Sequence, residues 1–224
     1  MNKKIAFLTT IYETAEKYLD DFFDSLLNQT YKNFDVIVVN DGYSKFSNLK
    51  IKYDSLSVIE LPFNGTPVKN REFGINFCIK NGYNYLVLGD CDDYFSENRI
   101  EKSISLLEGF DIVVNDLNLF NKNGVYEKLY FSNRIKNNSE ISLNFIKNKN
   151  IFGLSNTAIN LSLMSEISFP ENEKIVDWYF FKNLLKEGKT SIFTNEIETF
   201  YRQHENNFVG LKSNGENYPL WWEK

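Results

Sequence analysis

At 224 residues, with 42% hydrophobic and 16% aromatic content, the chain is long enough to bury one sizeable core, or two tightly joined lobes, and too apolar to be disordered. A net charge of −5 weighs against a nucleic-acid partner, which would require a clustered basic surface. Neither a signal peptide nor an apolar run of transmembrane length is found, and Cys78 and Cys91 have neither metal-ligand spacing nor a disulfide framework, so a reducing, cytoplasmic location is expected, with a peripheral position at the inner face of a membrane left open.

Residues 5–11 are an apolar strand candidate. A polar turn follows at 12–15, and then 16–28, where Tyr18, Leu19, Phe22, Phe23, Leu26 and Leu27 fall at helical spacing. Residues 34–39 form a second short β-branched run that ends on Asn40-Asp41-Gly42. Strand, helix and strand within some forty residues make a βαβ unit, which implies parallel pairing. The pattern repeats with a strand at 57–61, a helix at 70–81 closed by Gly82, and a strand at 85–88. A helix at 98–107 with Ser96 as its N-cap and a fifth strand at 111–115 complete this half. The second half is less regular. Residues 117–132 alternate as a hairpin turning at Lys122-Asn123-Gly124, 139–148 read as a short helix and 157–161 as a strand. Residues 175–187 read as a helix ending at Gly188, with 192–193 and 197–201 extended. The last stretch, 210–224, holds Trp221 and Trp222 beside charges and shows no clear element; an interfacial anchor and a disordered or partner-bound tail are both open readings. No repeat or linker interrupts the chain, so one α/β domain with a mostly parallel central sheet is expected.

Polar residues collect at one kind of place. Thr9 to Tyr12, Asp41-Gly42 and Asp90 to Asp93 all lie at or just past the C-terminal ends of strands, where open parallel sheets bind ligands. Asp90, Asp92 and Asp93 are three carboxylates within four residues, and on an extended segment Asp90 and Asp92 project to the same side. A hard divalent cation relieves their repulsion and shares itself readily with phosphates. The plain alternative is a solvated acidic turn that caps the next helix. Cys91, between the carboxylates, reads as a small buried filler rather than a nucleophile. His204 is the single histidine, so chemistry that needs a histidine pair is not available.

Taken together, five stretches resemble the family 2 glycosyltransferases of the GT-A fold, over residues 4–207. SLLNQTYKNFDVIVVNDG (25–42) is close to the family's helix, turn, strand and acidic end, and GDCDDYFSENRIE (89–101) is similar to its Asp-x-Asp segment and following helix. Val68-Lys69-Asn70-Arg71 resembles the Ala-Arg-Asn helix start, Asp177-Trp178 the Glu-Asp-Trp of the acceptor side, and Tyr201-Arg202-Gln203-His204 the Tyr-Arg-x-His ending.

The resemblance implies transfer of a sugar, with inversion, from a nucleoside-diphosphate donor to a hydroxyl of a glycan or lipid-linked saccharide, assisted by Mn²⁺ or Mg²⁺. It implies a donor half at 1–117, an acceptor half at 118–210 and a tail at 211–224. Thr10, Tyr12, Asp41, Lys69, Arg71, Asp90 and Arg202 are the implied nucleotide-binding residues: Tyr12 stacks on the base, Asp41 accepts a base N–H, which favours a UDP-sugar, and at least one of Lys69 and Arg71 meets the diphosphate at a helix N-terminus. Asp92, Asp90 and His204 are the implied metal ligands, with Asp90 also within reach of the ribose, His204 also a phosphate contact, and Asp93 either supporting the metal site or facing the acceptor. Asp177 is the implied base, among apolar neighbours that would raise its pKa. Bacterial surface polysaccharide synthesis is the implied setting. The rival readings are a non-catalytic nucleotide- or glycan-binding protein on the same fold, and a sugar nucleotidyltransferase, although Thr9 to Ala15 contains no glycine for a phosphate loop. Three departures stand out: Thr10-Ile11-Tyr12-Glu13 replaces Pro-Thr-Tyr-Asn, Asn40-Asp41-Gly42-Tyr43 replaces Asp-Asp-Gly-Ser, and Val176-Asp177 lacks the Glu before the aspartate.

Overall fold

The computed structural model describes residues 3–203 except Leu163 and Lys174. Strand β1, Ile5–Tyr12, is apolar on both sides: Ala6 and Leu8 face one layer, and Ile5, Phe7 and Ile11 the other. A 3-10 turn over Glu13–Tyr18 leads into α1, Leu19–Leu27, so the α-helix begins three residues later than its apolar spacing predicts. Strand β2 spans Asp35–Asp41 and keeps Asp41 as its last residue. Then come α2 (Phe46–Lys52), which the sequence reading leaves out, β3 (Ser57–Pro62), α3 (Pro67–Lys80) and β4 (Tyr85–Leu88). Strands β2, β3 and β4 extend the sheet from β1, all parallel, in the order β3-β2-β1-β4.

The sheet continues with strands of both directions. After β5 (Tyr94–Phe95) and α4 (Arg99–Leu107), β6 (Ile112–Asn121) turns into β7 (Gly124–Glu127) at the expected place. Strand β8 (Thr157–Asn160) inserts between β4 and β6, antiparallel to both. Helix α5 (Val176–Lys186) precedes β9 (Ser191–Arg202), which runs parallel to β6 and carries β5 on its far edge. The two extended pieces expected at 192–193 and 197–201 are one strand: the register steps from Asn115 opposite Thr194 to Asp116 opposite Glu198, leaving a bulge between them.

One core layer packs α3 and α5 on the sheet through Ile75, Cys78, Phe180, Phe181 and Leu184; the other packs α1, α2 and α4 through Phe22, Phe23, Phe46, Leu49 and Ile100. Helix α3 starts where Thr66 Oγ1 accepts the Lys69 amide at 3.3 Å with Pro67 in the first position, and its exit runs through Gly82 at φ +70°. Among the described residues, no helix is long and apolar enough to cross a membrane.

Two expectations need correction. Residues 139–148 do not form a helix. The backbone of 139–141 serves the edge of β9 instead, the Ile141 amide donating to Ser191 O, the Phe193 amide to Ser139 O, and Glu140 bridging to Ile192, while 142–147 close on themselves in turns. Ser96 does not cap α4. Its hydroxyl accepts the Glu198 amide at 3.1 Å, and the helix begins after Asn98 with no side-chain cap.

Gly74 sets how closely α3 lies on the sheet. A Cβ there would stand 2.7 Å from Leu8 Cδ1 and 2.9 Å from Val39 Cγ2. Gly74→Ala should therefore lower stability by about 1–3 kcal/mol through overpacking, measured as a shift of the urea midpoint at unchanged slope.

Candidate active site

Three strand ends form the floor of a cleft. Tyr12 and Asp41 are register partners at the ends of β1 and β2, and the Gly89 amide donates to Leu8 O at 3.1 Å, holding the chain against β1 one residue beyond β4. A Cβ on Gly89 would lie 2.6 Å from the Phe7 ring and 2.7 Å from the Phe95 ring, so only glycine passes here. The chain then turns, with the Asp93 amide donating to Asp90 O at 3.1 Å. This corrects the expectation of an extended acidic segment. Asp90 is half-buried and lines the cleft, Asp92 is half-buried on the same turn, and Asp93 is turned inward and is 1% exposed.

The inward carboxylate is held on both oxygens. Ser155 Oγ donates to Asp93 Oδ2, and the Arg202 amide donates to Oδ1 at 2.7 Å. Arg202 also braces the turn from outside: Nε donates to Asp92 O at 2.6 Å and Nη2 to Asp21 Oδ2 at 2.5 Å, with the guanidinium against the rings of Tyr18 and Phe120. Beneath the turn lies Arg99, fully buried. Its Nη2 donates to Leu88 O at 3.1 Å, and its Nη1 donates to Ser155 O at 3.0 Å and to Thr199 Oγ1 at 2.5 Å. One guanidinium thereby joins the end of β4, the segment before β8, and β9.

The charges follow from this packing. Burial foremost, then Asp92 and Asp90, lifts Asp93 well above the usual carboxylate range, against the hydrogen bonds from Ser155 and Arg202. Asp90 is raised by burial and by Asp92 and lowered by Arg71, whose Nη2 lies 3.2 Å from its Oδ1. Burial draws Arg99 down to about 9, opposed by Asp93. Burial together with three aspartates pushes the Cys91 thiol far up, which fits a filler and not a nucleophile. The Tyr12 hydroxyl is also raised, by burial and then by Cys91, Asp92 and Asp90, so it stays protonated beside the turn as a donor.

Thr10, Arg71, Asp90 and Leu154 line the same cleft. Asp41 Oδ2 accepts a hydrogen bond from Asn70 Nδ2 at 2.8 Å. Lys69 and Arg71 part company. Lys69 Nζ contacts Glu72 at 3.0 Å and Phe169 O at 3.4 Å, away from the acidic turn, and Arg71 alone of the pair faces Asp90. Asp177 sits in the first turn of α5, accepting the Trp178 amide at 2.7 Å. Burial foremost raises it to about 6; Arg71 lowers it and Asp90 raises it, so it lies near enough to feel both. His204, Trp221 and Trp222 lie outside the described residues.

Asn70, Arg99 and Ser155 are site-building residues that sequence reasoning did not single out. Arg99 left a trace: it falls four residues before Ser103, on the buried face of α4 with Ile100 and Leu107. Ser155 left none, because its stretch has no periodicity.

Among the described residues, no three acidic, cysteine or histidine side chains converge on one metal position. Asp90 and Asp92 fit a hard divalent cation as two mutually repelling carboxylates at the cleft, with phosphate oxygens and water to complete the shell.

The profile of glycosyl transferase family 2 matches residues 7–165. An uncharacterized glycosyltransferase of Haemophilus influenzae is 26% identical over 97% of this chain and 85% of its own length. Escherichia coli WfaP, a UDP-Glc:alpha-D-GlcNAc-diphosphoundecaprenol beta-1,3-glucosyltransferase, is 24% identical over 87% of this chain and 72% of its own. Among solved structures, S. aureus TarS 1-349 in complex with UDP-GlcNAc shares the fold, with a TM-score of 0.68 and 20% identity, covering 92% of this chain and 60% of TarS 1-349.

Arg99→Met should cost about 1–3 kcal/mol in urea unfolding, since it removes the buried donor that Leu88 O, Ser155 O and Thr199 Oγ1 share. Arg99→Lys should recover little of that loss, because one ammonium cannot span the fork of acceptors a guanidinium reaches.

Proposed function

The chain belongs to glycosyl transferase family 2 and is a glycosyltransferase that draws on a nucleotide-sugar, and we propose that it transfers a sugar with inversion from a UDP-linked donor to a hydroxyl of a glycan or lipid-linked saccharide in the synthesis of a bacterial surface polysaccharide. The observation that carries this reading is the cleft at the strand ends, where Asp90 meets Arg71 at 3.2 Å beside Thr10, with Asp177 on α5 near enough to feel both charges. The UDP-sugars in the names of WfaP and of the TarS complex support the donor class.

In this reading Tyr12 offers its ring to the base and Asp41 accepts the imide N–H. Thr10 lines the donor cleft. Arg71 and Arg202 flank the diphosphate. Lys69, engaged with Glu72 and the Phe169 carbonyl, secures α3 to the segment at Phe169. Asp90 and Asp92 are the residues that would hold Mn²⁺ or Mg²⁺, which supplies charge neutralisation of the diphosphate leaving group when bound. Asp93 is a positioning residue: it keeps the acidic turn seated on Ser155 and β9. Residues 1–117 serve the donor and 118–210 the acceptor.

Transfer then proceeds in one displacement. The acceptor oxygen forms its bond to the anomeric carbon as the bond to the β-phosphate oxygen breaks. The electron pair leaves with the diphosphate, and the acceptor's proton passes to the Asp177 carboxylate. A base of pKa about 6 is ionised at neutral pH and still basic enough to help.

Three outcomes are expected. UDP should raise the melting temperature more with Mn²⁺ present than with EDTA; absence of any nucleotide-dependent shift in folded protein would remove the donor site. Asp177→Asn should lower kcat by roughly 100-fold or more while leaving UDP affinity nearly intact, as titration calorimetry will show. The rate should also depend on pH in a stated direction. Below about 6 Asp177 is protonated and cannot accept the proton, so kcat/KM falls tenfold per unit there and levels off above it.

A further inference from the structure

Asn70 is 1% exposed in the first turn of α3, and both ends of its side-chain amide are engaged. Its Nδ2 donates to Asp41 Oδ2 at 2.8 Å, and its Oδ1 accepts the Gly65 amide at 3.1 Å. The second bond settles the first: a flipped amide would set two N–H donors against each other at Gly65. The surroundings leave this amide little freedom. A Cβ on Gly65 would lie 2.9 Å from Asn70 Oδ1 and 2.6 Å from the Phe63 ring. The Phe63 ring in turn stacks on Phe73 of α3 at 4.4 Å and 14°, and the Phe63 amide donates to Asn40 O at 3.1 Å. The end of β2, the loop after β3 and the start of α3 are thereby locked around one carboxylate.

Building on the donor reading above, we infer that Asn70 is the specificity-determining residue for the nucleobase: by holding Asp41 Oδ2 it leaves Oδ1 as the oxygen offered to a ligand, which matches uracil and not guanine. The chemistry lies in the base edges. Uracil presents one imide N–H between two carbonyl oxygens, so a single acceptor suits it and a second carboxylate oxygen in the same plane would face a carbonyl. Guanine presents N1–H and an exocyclic amine side by side, and two parallel donors are best met by both oxygens of a freely turning carboxylate. An amide fixed on Oδ2 restrains the carboxylate's rotation and makes that oxygen a shared acceptor, which weakens the bidentate pose relative to a single bond through Oδ1.

The test compares UDP and GDP binding by titration calorimetry with Mn²⁺, in the full chain and in two variants whose folding is checked by thermal melts. Both nucleotides share the diphosphate, so their affinity ratio reports the base alone, and general loosening of the site does not move it. The unaltered chain should prefer UDP. Asn70→Leu, of similar size but without the amide, should narrow that preference roughly tenfold, the loss of one charge-assisted hydrogen bond's worth of discrimination. Gly65→Ala, which displaces the Asn70 amide without removing it, should narrow the preference in the same direction and decides the matter if Asn70→Leu does not fold. A preference for UDP that survives within about twofold in the folded variants overturns the role of Asn70 and leaves the donor reading standing. An unaltered chain that binds GDP as well as UDP overturns both.

Discussion

Asp90, Asp92 and Asp93 set three carboxyl groups on one turn at the end of a buried strand, and in such surroundings like charges raise one another's cost of ionisation. The fold divides the three. Asp93 is turned inward, where Ser155 and the Arg202 amide occupy its oxygens and the Arg99 charge lies below it. Asp90 and Asp92 are left at the cleft, with Arg71 against the first. Without the inward anchor the turn would have no fixed seat, and without the division the cleft would carry a third repelling charge. The geometry of the candidate site therefore depends on buried groups that touch no ligand.

The mixed half of the sheet gains a purpose from this arrangement. The parallel strands β1, β2 and β4 deliver Tyr12, Asp41 and the acidic turn to one edge, as parallel topology does. They offer nothing on the other side of that turn. The segment before β8 supplies Ser155, and β9 supplies Thr199 and Arg202, so the antiparallel insertion of β8 next to β4 brings the far end of the chain back against the acids. The Arg99 guanidinium sits where these three pieces meet and donates to all of them. Its burial lowers its own pKa, a cost that a rigid fork of hydrogen bonds offsets better than a flexible ammonium would.

Much of this was legible in order along the chain. Apolar runs of four to eight residues between turn signals locate β1 to β4, most clearly β1, β2 and β4, which are buried on both faces and carry the signal in nearly every residue. Acids and Tyr12 just past those runs located the cleft. What was not legible was long-range. Residues 139–148 carry helical spacing, but the edge of β9 claims the backbone of 139–141 and leaves 142–147 only turns, so tertiary hydrogen bonding outweighs local preference. The acidic turn reads as extended in the sequence because nothing local reports that Ser155 and Arg202 draw Asp93 inward. Lys69 and Arg71 looked equivalent at a helix start; Glu72 and Phe169, the latter nearly one hundred residues away, separate them. Asn70 passed as a motif letter, since its value depends on Asp41 and Gly65 coming from two other elements.

Asp177 takes its raised pKa from a source largely separate from the acidic turn. Its pKa is raised first by burial, and only secondarily by the charge of Asp90, which Arg71 opposes. On the same helix, Val176, Phe180 and Phe181 pack into the core, with Phe152 stacked on Phe181 at 4.9 Å. Trp178 Nε1 fixes the same turn by donating to Ile146 O at 2.9 Å. A carboxylate raised mainly by burial depends less on the charge of the acidic turn than one raised mainly by Asp90 would, since a cation that neutralised Asp90 would remove only a secondary contribution. In the proposed role of Asp177 as base, burial more than repulsion from Asp90 would then supply the basicity.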